Sequence, residues 1–125
     1  MKLEKSVEEK YTSLKPLHEK LDSQLAPLLK EEFITLFNTR DVHNLILNLE
    51  DVKYVDSSGL SAILTGNRLC KEKQGVMVLC HLNEHVEKLI TISRLQEVLE
   101  ILPTEGEARE HIFMRELENE ISGGR

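Results

Sequence analysis

Two adjacent serines behind an aspartate, in the run 54-YVDSSGLSAIL-64, are the side chains of this sequence with the clearest chemistry to offer. A serine hydroxyl can cap a helix, attack as a nucleophile or accept a phosphoryl group, and its neighbours decide which. Asp56 or Ser57 stands where the first turn of a helix needs a side-chain acceptor, Gly59 lets the backbone turn closely, and Leu60, Ile63 and Leu64 supply a buried face behind it. At least one hydroxyl is therefore expected at a helix N-terminus, at the carboxyl end of a β-strand, where contacts collect in open α/β sheets. On spacing alone, a plain N-cap and a phosphorylation site both stay open. A phosphoserine there would carry about −1.5 to −2 charge and could accept backbone N–H groups of the first turn. The same charge beside Asp56 in a desolvated interface would drive a partner away.

Other constellations are weaker. A serine nucleophile wants a G-x-S-x-G turn and a histidine base, and none of the five histidines falls beside the serine turn, so no enzyme is expected. Neither G-x-G-x-x-G nor a P-loop is present, and no cofactor is expected. Cys80, His81 and His85 are the one metal-like cluster, but His81 falls in a predicted strand, His85 after a helix cap, and no fourth ligand is near. They read as strand-end and helix-surface residues, with no metal. The carboxylates of Glu8-Glu9, Glu31-Glu32 and Glu105-x-Glu107 read as solvated surface charge.

Composition narrows the partners. The chain has 125 residues, 40% apolar and 30% charged, which suits one domain with a core of its own. Aromatics are 4% with no tryptophan, so the core is aliphatic and stacking surfaces for nucleic acid are missing. A net charge of −6 without a basic cluster makes nucleic acid and anionic membrane poor partners, and a basic protein surface a better one. Cys70 and Cys80 lie in apolar segments and are expected as reduced, buried thiols. The start MKLEKSVEEK has no signal-peptide core and no run is long enough to span a membrane, so a cytoplasmic protein without membrane insertion is expected.

The elements that must position the serines follow from periodicity. Leu3–Val7 and Tyr11–Leu17 are predicted as a hairpin or pair of edge strands, because Pro16 could not donate to a central ladder. Asp22-Ser23 offers N-caps for a helix carrying Leu25, Leu28, Leu29, Phe33, Leu36 and Phe37, with Pro27 in its first turn and Asn38 near its end. The runs 45-LILNL-49 and 76-VMVLCHL-82 are buried strands. Between them Asp51–Val55 leads to the serines, and the serine helix ends near Gly75. Asn83 caps a helix bearing Val86, Leu89 and Ile90, and Val98–Leu102 is a last strand that Pro103 stops. Thr104 and Glu107 form a capping box for a helix with Ala108, Ile112, Leu117 and Ile121, and 122–125 is expected as a flexible tail after a single domain over 1–121. Alternating strands and helices predict an α/β domain with right-handed crossovers.

The stretch 45-LILNLEDVKYVDSSGLSAIL-64 also resembles the signature of STAS domains of the bacterial anti-sigma factor antagonist type. The similarity extends to Leu21-Asp22 with Ala26, to 76-VMVLCHL-82 and to Pro103-Thr104. It implies a mixed four- to five-stranded sheet with about four helices packed mainly on one face. It implies a protein that binds an anti-sigma factor, usually a serine kinase of the histidine-kinase-like ATPase fold, and so frees a sigma factor. In that family the kinase modifies the second serine of the turn, here Ser58 with Ser57 as the fallback, and a metal-dependent serine phosphatase restores it. Asp22, Asp56, Ser57, Ser58, Gly59 and Leu60 map onto the partner-binding region, in a monomer or weak dimer. Related modules serve as scaffolds of stress-sensing complexes or as transporter-associated subunits, for example in lipid transport, and that is the alternative function. Two departures stand out: His18-Glu19 where glycine is frequent, and Ser93-Arg94-Leu95 where Ser-Gly-Leu is frequent, which would place Arg94 at positive φ.

Overall fold

The two most apolar runs of the chain become the central strands of a sheet, and every residue of both strands is buried. The computed structural model describes residues 1–39 and 41–122. In chain order the elements are β1 (Leu3–Val7), β2 (Thr12–Pro16), β3 (Lys20–Leu21), α1 (Ala26–Thr39), β4 (Leu45–Asn48) and β5 (Tyr54–Val55). There follow α2 (Ser57–Glu72), β6 (Met77–Cys80), α3 (Glu84–Ile92), β7 (Glu100–Leu102) and α4 (Glu105–Ile121). Five strands form one sheet in the order β1-β2-β4-β6-β7, antiparallel between β1 and β2 and parallel elsewhere. The short β3 and β5 pair in parallel as a separate ribbon.

Strand alternation splits the core in two. Leu45, Leu47, Met77 and Leu79 point to the side of α1, α2 and α3, where they join Leu29, Phe33, Leu36, Ile63, Val86 and Ile90 in the larger cluster. Ile46, Val78 and Cys80 point the other way and meet Ala108 and Ile112 of α4. Three helices thus cover one face and α4 alone covers the second. Each fully buried leucine or isoleucine on these faces contributes about 1.5–3 kcal/mol relative to exposure.

Several expectations need correction. β2 is an inner strand, not an edge: its pairs with β4 run from Thr12 to Leu14 only, so Pro16 sits past the end of that ladder. Leu17 donates to the carbonyl of Lys2, so the missing N–H of Pro16 would point to the opposite side, where pairing has ceased. The last strand begins at Glu100, and Val98 is exposed in the turn before it. Leu28 of α1 and Leu117 and Ile121 of α4 face solvent. Glu105 is not plain surface charge: its carboxylate accepts from Asn48 Nδ2 at 2.9 Å and from Ser13 Oγ at 3.1 Å, fastening α4 to the buried polar ends of β4 and β2. Residues 123–125 of the expected tail lie outside the described residues.

Two helices end in the same way. Gln74 after α2 and Arg94 after α3 take φ of 63° and 59°. Their N–H groups reach Lys71 and Thr91, while those of Gly75 and Leu95 reach Cys70 and Ile90, the paired bonds of a Schellman motif. The glycine expected to end α2 is thus one residue beyond the positive-φ position. Gly75 is required for another reason: a Cβ there would lie 1.6 Å from the carbonyl oxygen of His43. Arg94 has no such constraint, and Arg94→Gly is expected to stabilise the protein by about 1 kcal/mol, read as a higher urea midpoint at unchanged slope. An unchanged or lower midpoint would show that Arg94 makes a compensating contribution.

Cys70 and Cys80 are fully buried and unpaired by disulfide. Burial pushes both thiols up to about 12, so at neutral pH they are protonated and behave as small apolar side chains. His81 lies just after β6 with φ of 57°, its Nε2 3.4 Å from the N–H of Glu105, and the ring of His85 stacks on Tyr54 with centroids 5.6 Å apart. Among the described residues no three potential metal ligands are gathered, and no helix is long and apolar enough to cross a membrane.

Candidate functional site

The serine turn is built from the β3–β5 ribbon. Leu21 pairs with Val55, and both are buried, so the chain leaves β5 at a fixed point against the core. The next residue, Asp56, is extended at φ −101° and ψ −173°, and its Oδ1 accepts the N–H of Gly59 at 2.9 Å. Asp56 is therefore the N-cap, and of the two candidates for that role it displaces Ser57. Ser57 and Ser58 become the first two helical residues, the first exposed and the second half-buried. An aspartate accepts such a bond with a full charge, which leaves both serine hydroxyls unspent.

Gly59 is fixed by close approach. A Cβ on it would lie 2.1 Å from the carbonyl oxygen of Leu21, the same oxygen that accepts the N–H of Asp56 at 3.3 Å. Leu60 is buried immediately behind it and belongs to the core. One residue past Leu21, Asp22 does for the entry to α1 what Asp56 does for α2: its Oδ1 accepts from the N–H groups of Gln24 at 3.1 Å and Leu25 at 3.3 Å. Both acidic residues of the site are thus turned onto their own backbone.

The two helix starts face each other across an open groove, lined by Ser23, Ala26, Pro27 and Lys30 on one side and Ser57, Ser58 and Ser61 on the other. Lys30 brings the one charged side chain in that lining, and no histidine is part of it. Neither Ser57 nor Ser58 makes a side-chain hydrogen bond among the described residues. The first turn of α2 contains no acidic residue, so apart from the Asp56 cap the positive end of this 16-residue helix is uncompensated. The arrangement offers a hydroxyl at a surface groove, with a receptive environment for added negative charge and no base of its own.

The structure brings Ser57, Ser58, Asp56 and Gly59 into one turn, and the pairing of Leu21 with Val55 sets Asp22 near it. Ser61 was not singled out from the sequence, although its place one helical turn after Ser57, on the same face, was the signal that could have found it. Lys30 had no such signal, since nothing local ties α1 to α2 at that point. A second concavity collects Glu8, Glu9, Asp41 and His43, but it lies at the amino ends of the parallel strands, away from where such folds gather ligands.

Against known proteins, the STAS domain family matches residues 8–108. The anti-sigma F factor antagonist of Paenibacillus polymyxa is 28% identical over 85 residues, 68% of this chain and 73% of that protein. The anti-sigma-B factor antagonist of Bacillus subtilis is 30% identical over 81 residues, 65% of this chain and 72% of that one. Among solved structures, a Thermotoga maritima protein described as a candidate anti-sigma factor antagonist superposes with a TM-score of 0.82 at 26% identity, covering 88% of this chain and 93% of that one.

Proposed function

This chain belongs to the STAS domain family, and from that premise we propose that it is an anti-sigma factor antagonist whose binding is ended by phosphorylation of Ser58. It binds an anti-sigma factor, which thereby releases a sigma factor. The anti-sigma factor is itself a serine kinase, and a serine phosphatase resets the switch. The working unit is a single domain over residues 1–121, monomeric or weakly dimeric and acting in the cytoplasm. Relatives that are antagonists by name support this job over that of a scaffold or a transporter-associated subunit.

The observation that carries the reading is the capped turn. Asp56 takes the cap position by accepting the N–H of Gly59, so Ser58 is not the cap and stands half-buried at the groove. On phosphorylation, a bond forms between Ser58 Oγ and the γ-phosphorus of ATP, the bond to ADP breaks, and the hydroxyl proton passes to a base brought by the kinase. Asp22 and Asp56 supply the negative rim that a basic partner surface would meet. Gly59 and Leu60 are buried and act through the shape they give the turn.

With the cognate kinase and ATP, mass spectrometry is expected to find one phosphate on Ser58 and none in Ser58→Ala. Unchanged phosphorylation of Ser58→Ala, or a phosphate placed on Ser57 alone, would overturn the assignment.

A further inference from the structure

A helix that covers one face of a sheet ordinarily turns polar residues outward. α4 does not. It packs on the sheet with Ala108 and Ile112, helped by Glu105 and by Glu116, which accepts from Asn44 Nδ2 at 3.0 Å. On the opposite side Met114, Leu117 and Ile121 are 55%, 48% and 76% exposed, and Phe113 beside them is 46% exposed and touches the ring of Tyr11. Four large apolar side chains within three turns of a surface helix form a contiguous patch of the kind that marks an interaction site.

The spacing of the patch says what shape fits it. Met114, Leu117 and Ile121 recur at intervals of three and four residues, which on a helix makes the straight seam that a second helix packs along. Charge says what chemistry fits it. The exposed acids Glu107, Glu110, Glu118 and Glu120 surround the seam; Glu120 pairs with Lys10 at 3.7 Å, and within the helix Arg109 is the exposed base. Glu110 lies in line with Met114 one turn earlier, and neither it nor Glu118 has an ion pair among the described residues. A second copy would set acid against acid, and an anionic bilayer would be repelled in the same way.

We infer that the outer face of α4 is a docking surface for a basic amphipathic helix of another protein. This goes beyond the antagonist reading and does not depend on it. The serine groove lies between α1 and α2 on the other side of the sheet, so both surfaces can be occupied together.

The test uses the whole chain and two synthetic helical peptides about three heptads long, alike in their apolar seam but carrying lysine or glutamate at the flanking positions. By fluorescence anisotropy the lysine peptide binds, the glutamate peptide does not, and Leu117→Glu weakens the lysine peptide by about tenfold or more at unchanged melting temperature. The double variant Glu110→Lys with Glu118→Lys reverses the preference. Ser58→Asp binds the lysine peptide as the wild type does, which keeps this result separate from the fate of the serine switch. Failure of the lysine peptide to bind, equal binding of the two peptides, or a dimer in light scattering that Leu117→Glu dissolves would each overturn the proposal.

Discussion

Gly59→Ala is expected to destabilise the protein by about 2–3 kcal/mol, although the substitution lies in a helix where alanine is favoured. Helix propensity alone would gain about 1 kcal/mol from replacing glycine with alanine. Here the new Cβ would meet the Leu21 carbonyl oxygen at 2.1 Å and Leu21 Cγ at 2.9 Å. That oxygen is backbone, held in the β3–β5 ribbon and already accepting the N–H of Asp56, so it cannot turn aside. Either the ribbon or the start of α2 must move, and overpacking of this kind costs about 1–3 kcal/mol, sometimes more. The internal control is Gly106→Ala, whose Cβ would find its nearest atoms 3.7 and 3.8 Å away, at ordinary van der Waals contact. It is expected to gain about 0.5–1 kcal/mol. Urea unfolding of the two variants should bracket the wild type, and equal stability of Gly59→Ala and wild type would refute the packing argument.

The second large effect concerns binding without folding. Phosphorylation of Ser58 is expected to weaken affinity for the anti-sigma factor by about 100-fold, near 2.7 kcal/mol, while leaving the melting temperature unchanged or slightly raised. The two outcomes separate because the same charge acts on two different surroundings. Within the chain it sits on the first turn of α2, where no acidic residue stands and Lys30 lies across the groove. Within a complex it would be desolvated beside Asp56. Ser58→Asp should reproduce the effect in part, and Ser58→Ala should bind but no longer respond to kinase and ATP. Calorimetric titration against the purified anti-sigma factor reads both; a phosphorylated protein that binds as tightly as the unmodified one would remove the switch.

Much of this was legible in the linear sequence because it is local. The Asn83 and Thr104 N-caps and the apolar strand at 45–48 are set by neighbours within four residues, and the structure places them where the sequence does, although the capping box is half formed, because Glu107 accepts from the Thr104 hydroxyl and not from its backbone N–H. What escaped notice depends on distant pairings. β3 and β5 are two residues each, too short to carry any period, and they exist only because Leu21 and Val55 are buried side by side. Glu105 looked like surface charge until Ser13 and Asn48, from two other strands, were brought to it. Pro16 argued for an edge by a sound rule that failed because the ladder it would interrupt had already ended at Leu14. Arg94 did take the left-handed conformation that its neighbours demanded.

The single carbonyl of Leu21 joins the entries of both helices, since it receives Asp56, touches Gly59 and precedes Asp22. The hydroxyl proposed to accept the phosphate, that of Ser58, is consequently a corner of folded architecture and not a word in a linear motif. Its ordering entropy was lost once, when the domain folded, and a docking enzyme does not have to lose it again. A short segment cut from around the serines carries the same letters without that corner, because so brief a helix does not hold its shape in water. A kinase acting on Ser58 as proposed would therefore read a surface assembled from two distant stretches of chain, with its selectivity written in three dimensions.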